Sequence, residues 1–150
     1  MRLLTAASLP LFVCALAACG SDADRQADAT EDRIEQQAEA SAAASGDAVA
    51  ALGLTERQLL DADLVTADGT ELGDVEQVRR GAGGAVEGLL VEIEDSNPDR
   101  YVVVPLTGLT TRVAGADKDL QTKMTAAQIG ALPDAQLGAE TSTTATGPAN

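Results

Sequence analysis

Histidine and tryptophan are absent from this 150-residue chain, which carries one tyrosine, one phenylalanine and two cysteines. Each absence removes a class of chemistry. Without histidine, no side chain has an ordinary ionisation near neutral pH to serve as a general base. Cys14 and Cys19 both lie in the first twenty residues, so the rest of the chain offers no thiolate nucleophile, no Cys/His metal set and no disulfide. An enzyme built here would rely on carboxylates, Ser/Thr or the two lysines, Lys118 and Lys123. Basic residues are also scarce: 10 Lys and Arg face 24 Asp and Glu, a formal charge of −14. Such a chain repels nucleic acid and anionic lipid head groups.

What is present begins with a leader. Met1 and Arg2 precede an apolar run, Leu3 to Ala17, broken only by Thr5, Ser8 and Pro10. About fifteen residues are too few to span a bilayer and suit a secretory signal. The run ends in Leu16-Ala17-Ala18-Cys19, which resembles the bacterial lipobox. The resemblance implies cleavage after Ala18 and lipidation of Cys19 as the first mature residue. Residues 1–18 are then a removed signal peptide, and the mature chain carries a charge of −15 once Arg2 is lost. Two acyl chains suffice for stable anchoring. The membrane is therefore reached through lipid on Cys19 and not through the polypeptide. Gly20, and not Asp, follows the cysteine, which favours the outer membrane over the inner.

Residues 19–53 are Ala, Asp, Glu, Gln, Ser and Arg almost throughout, with Ile34, Val49 and Leu52 as the large apolar exceptions. This composition predicts a disordered tether with transient helix over Glu31 to Ala44, of roughly 30 Å root-mean-square reach. From Leu54 the pattern changes. Thr55 with Gln58, and Thr125 with Gln128, have capping-box spacing and predict a short helix at each end of the folded unit. Between them, Asp63 to Ala67 reads as a strand, Asp68-Gly69 as a two-residue hairpin turn, and Leu72 to Arg80 as the return strand. Val75 and Val78 are three apart, which predicts a bulge near Glu76. Further strands are expected over Ala85 to Glu94, with Leu89, Val91 and Ile93 on one face, and over Arg100 to Pro105. A last hairpin is expected from Thr110 to Ala114 and Asp119 to Lys123. Residues 138–150 read as a disordered tail.

Leu60 to Val78 (LDADLVTADGTELGDVEQV), the apolar Tyr101-Val102-Val103-Val104-Pro105-Leu106, and Met124-Thr125 to Leu132-Pro133 follow one another in an order that resembles a PRC-barrel domain. That family begins with an apolar strand, a D-G hairpin and an apolar-Gly-x-Val-x-x-Val strand. The resemblance covers about residues 55 to 134. It implies a mainly β fold: a small six-stranded, SH3-like barrel over residues 54–137, with short helical turns at both ends, preceded by the tether. It also implies a module that packs against other proteins and has no active site of its own. The spanning helix of the photosynthetic reaction-centre subunit that names the family, and the second domain of the ribosome maturation factor that shares it, have no counterpart here.

Several residues invite sharper readings. Gly69 and Gly73 fit a positive φ in the hairpin and a tight approach in the return strand. Asp61, Asp63, Asp68, Glu71 and Asp74 form the densest carboxylate cluster. Val65 stands where a calcium loop needs oxygen, however, and no Glu falls twelve residues after Asp61, so no metal is assigned. Glu92, Glu94 and Asp95 have no aromatic walls to hold a sugar between an acid pair and read as a solvated strand face. Arg79-Arg80 is too small for a nucleic-acid patch.

The sequence therefore predicts a non-enzymatic, lipid-anchored module without cofactor, facing the periplasm and binding another envelope protein or itself. The interaction surface is placed on Val86, Leu90, Glu92, Tyr101 and Val103, on the physics of strand addition. The alternative is a structural or stress-related envelope lipoprotein that touches peptidoglycan or carbohydrate.

Overall fold

A computed structural model of the chain describes residues 22–137 apart from residue 116. The expected signal peptide (residues 1–18), Cys19 and the expected tail over 138–150 lie outside the described residues. Helix α1 (Asp22–Ser45) comes first, followed by a small hairpin of β1 (Val49–Ala51) and β2 (Leu54–Thr55). Next come α2 (Glu56–Leu60), β3 (Asp63–Val65), β4 (Glu71–Arg80), β5 (Val86–Ile93) and β6 (Tyr101–Pro105). A hairpin of β7 (Thr110–Ala114) and β8 (Asp117–Gln121) and a closing α3 (Ala126–Gly130) complete the order.

The protein is mainly β, built on a six-stranded sheet ordered β6-β5-β4-β3-β8-β7. All pairs are antiparallel except β3 with β8, where Leu64 and Val65 lie beside Leu120 and Gln121. No ladder joins β6 to β7, so the expected barrel is not closed and, among the described residues, both strands are edges. Alternation explains the core. Leu64, Val75, Val78, Leu89, Val91, Val102, Val104 and Leu120 share one apolar cluster with Leu59 of α2 and Ile129 of α3. With leucine, isoleucine and valine filling this cluster, no aromatic is needed there.

Both capping boxes are formed: Thr55 and Thr125 accept from the backbone N–H of Gln58 and Gln128, whose side chains accept from the cap N–H groups. The register of β4 on β5 slips between Val75 and Gln77, placing a bulge at Glu76 as the spacing of the valines predicts. Gly73, at φ +153°, has room for nothing larger, since a Cβ would fall 1.9 Å from the Glu92 carbonyl oxygen. The β3–β4 connection is longer than the expected two-residue turn. Thr66 N–H donates to the Thr70 carbonyl at 2.8 Å, closing a loop over Asp68-Gly69. The last strand lies two residues earlier than its pattern suggests.

The larger difference is at the N-terminal side. Asp22–Ser45 is a continuous helix, not a flexible tether, with Ile34, Ala38 and Ala42 buried. These positions recur every four residues and so form one stripe. Ile34 packs with Leu90 and Tyr101, flanked by Ala135 and Leu137. Counting only large apolar residues misses this stripe, because two of its three members are alanine. Small side chains bring the helix axis close to the sheet, and alanine has the best intrinsic helix propensity.

Candidate functional site: the helix-covered face and the two sheet edges

The five residues expected to form an interaction surface do not share one open face. β5 is internal, flanked by β4 and β6, and cannot accept an added strand. Leu90 and Tyr101 are buried beneath α1, Val86 and Glu92 are half-buried, and Val103 is 41% exposed. The helix that was expected to be a tether thus occupies the face that was expected to bind a partner.

The two edges differ in availability. On β6, Val102 bridges to Asp134, and the Ala135 N–H donates to the Tyr101 carbonyl at 2.7 Å. Arg100 holds that segment in place. Its Nη2 lies 2.5 Å from Asp134, and it also donates to the carbonyls of Gly130 and Leu132. Pro105 ends the strand and cannot donate to a neighbour. β7 has β8 on one side and, among the described residues, no strand on the other; its first four residues, Thr110 to Val113, are exposed, and the Thr111 hydroxyl donates to the Leu52 carbonyl at 2.9 Å. Val113, at 71% exposure, is the most exposed large apolar side chain among the described residues. An edge strand without Pro is a ready template for strand addition.

Two polar assemblies accompany α1. The first is built on Glu56, which is 1% exposed although it opens α2. Ser41 and Ser45 of α1 donate hydroxyl bonds of 2.5 and 2.6 Å to its two oxygens, and Arg80 of β4 pairs with it at 2.6 Å. Burial raises the Glu56 pKa, but the two hydroxyls and the guanidinium outweigh it and hold the carboxyl below its usual range. This is a clamp across α1, α2 and β4. The second assembly is predominantly acidic, with Arg57 of α2 in the same cleft. Glu31 and Glu35 of α1 face Asp74 and Glu76 of β4 and Glu92 of β5. Burial, followed by those four neighbours, pushes Glu76 up to about 7. Burial also raises Glu92, against the Tyr101 hydroxyl beside it.

Of the carboxylates singled out in the sequence, the fold unites Asp63, Glu71 and Asp74, whose oxygens lie within 4.8 Å of one another. Asp61 and Asp68 stand apart from them. Asp68 instead accepts from Thr66 and Thr70 in its own loop, and the Thr66 hydroxyl lowers its pKa. Asp63 is raised by burial and then by Asp74 and Asp119, as expected of crowded like charges. Crowding of exposed acids on neighbouring strands follows from the cross-strand pairing of Asp63 with Asp74 and is not in itself a metal site. Glu94 lies beside Glu71. Among the described residues, no helix is long and apolar enough to cross a membrane.

No protein-family model matches the chain, and no curated protein matches it.

Proposed function

We propose that this chain is a lipid-anchored, non-enzymatic interaction module of PRC-barrel type. It faces the periplasm, on the outer membrane by the residue after Cys19, and engages another envelope protein through the free edge of β7. The observation that carries this reading is the edge itself: a strand with no second neighbour among the described residues, exposed from Thr110 to Val113. Strand addition supplies main-chain hydrogen bonds from the edge and side-chain specificity from alternate residues. The helical α1 changes how an anchor at Cys19 works. Only two residues, Gly20 and Ser21, separate Cys19 from Asp22. The segment before Ile34 extends by roughly 1.5 Å per residue along the helix, so the sheet is held near the bilayer on a stiff arm. Confinement of this kind raises the effective concentration for a partner in the same membrane.

The test is a photo-activated cross-linker placed at Thr110, Thr111 or Val113 of the full chain in living cells. One reproducible protein adduct, lost in Cys19→Ser, supports the reading. Capture of wall fragments alone, with retention on purified sacculi, overturns it in favour of a peptidoglycan-contacting envelope lipoprotein.

A further inference from the structure

We propose that the N-terminal half of α1 is a pH-gated lid, closed over Leu90 and Tyr101 in acid and lifted above neutrality by repulsion among the carboxylates beneath it. The geometry sets two halves of one helix against each other. Before Ser41, exposed Glu31 and Glu35 flank buried Ile34 along the margin of α1. The sheet below answers with the same sign. Asp74 and Glu92 are cross-strand partners, and the bulge after Val75 adds Glu76 to that face. Asp99 lies near Glu92 from the β5–β6 loop, and the Tyr101 hydroxyl of β6 lies beside Glu92.

Cations near this face do not neutralise it. Arg57 of α2 lines the same cleft of about 440 Å³ as Glu31, Glu35, Asp74 and Glu76, with Glu39 and Asp61. Arg79, further along β4, has a buried Nε without a partner. Among the described residues, neither arginine forms a salt bridge. From Ser41 onward the relation reverses, because Ser41 and Ser45 are bonded to Glu56, which Arg80 neutralises. That clamp needs an ionised carboxylate, so it persists at neutral and alkaline pH while the other half is pushed away.

The sign follows from proton binding. In the closed state Glu76 holds its proton up to about 7, against an ordinary value of 4.5. A lifted helix leaves it solvated and ionised. Closure is therefore strongest below about pH 4.5 and is lost as pH rises through about 7. The full shift corresponds to a ceiling of roughly 300-fold in the closing equilibrium. Solvent screening of a partly open carboxyl reduces this to about tenfold between pH 5 and 9. Lifting bares Leu90 and Tyr101 beside exposed Val103, a face suited to an apolar partner. That use rests on the interaction-module reading, and the motion does not. A lid that opens while no protein is ever captured would refute the module and leave the lid standing.

The chain provides its own probe, since Tyr101 is its only tyrosine and there is no tryptophan. Burial, then Glu92, holds the phenol well above its ordinary value, so it stays protonated through the window. Acrylamide quenching of Tyr101 in the full chain should rise from pH 5 to 9 as the closing equilibrium falls about tenfold. Glu76→Gln should keep quenching low throughout, as should Glu31→Gln with Glu35→Gln on the exposed helix. Ile34→Ala should raise it already at pH 5. Molar salt at pH 9 should restore protection by shortening the screening length to roughly 3 Å. Equal quenching at both pH values, or a transition that all the glutamine variants leave in place, overturns the proposal.

Discussion

Replacing Glu56 with Gln tests whether the helix-to-sheet attachment is energetically real. The substitution keeps the size of the side chain, removes its charge, and exchanges one acceptor oxygen for an amide donor. Three bonds are affected: Ser41 and Ser45 at 2.5 and 2.6 Å, and Arg80 at 2.6 Å. Hydrogen bonds to a charged group contribute about 1.5–3 kcal/mol each in isolation. Breaking a buried ion pair from one side costs about 3–5 kcal/mol because the remaining charge is stranded. Here Arg80 is 33% exposed and can turn to water, and Gln retains one acceptor. The expected loss is therefore about 2 kcal/mol. For a unit of this size that is roughly 6–12 °C in Tm.

The assay is thermal unfolding followed by far-UV circular dichroism at pH 7 and again at pH 3. Glu56 is held below its ordinary value of 4.5 in the folded chain. Its contribution is therefore complete above that value and disappears as pH falls through the lower folded value. Wild type and Glu56→Gln should differ at pH 7 and converge in acid. A double-mutant cycle with Ser41→Ala should show coupling, because the two side chains share a bond. Equal melting at pH 7, or a difference that persists unchanged at pH 3, would refute the clamp.

Other substitutions probe the sheet. Gly73→Ala forces a Cβ to 1.9 Å from the Glu92 carbonyl oxygen and should cost at least about 3 kcal/mol, read as a lower denaturant midpoint. Leu89→Ala, at a fully buried position, should cost about 2–5 kcal/mol in the same measurement. Thr125→Ala removes the α3 cap and should cost about 1 kcal/mol. Arg100→Met releases the strap on β6; amide hydrogen exchange at Ala135 should quicken while exchange at Leu89 stays unchanged.

Where a local rule acts alone, the chain declares its structure openly. The Thr55 and Thr125 caps, the bulge implied by Val75 and Val78, and the alternation of Leu89, Val91 and Ile93 depend on neighbours a few residues away. Closure of the sheet does not. Whether β6 meets β7 depends on side chains and connections distributed over the whole chain, and instead Asp134 and Ala135 bond to β6. The open edge of β7 likewise follows from long-range pairing, which gives it no second neighbour among the described residues.

Helix α1 shows the limit most clearly. In isolation a stripe of Ile34, Ala38 and Ala42 buries too little area to hold a helix on a surface, since an alanine contributes only a fraction of what a leucine does. Three further features make the docking possible. Alanine and glutamate favour the helix before it docks; Leu90 and Tyr101 present an apolar seat for Ile34; and Glu56, eleven residues beyond the last helical serine, reaches back to bond Ser41 and Ser45. Only the first of these is local. A glutamate following an N-cap threonine reads as an ordinary first-turn acid favoured by the helix dipole, and nothing near it in sequence signals that it will be buried. Its burial follows from Arg80, twenty-four positions away. The same long-range assembly that fixes one half of the helix leaves the other half over like charges, so the attachment is strong at one end and conditional at the other.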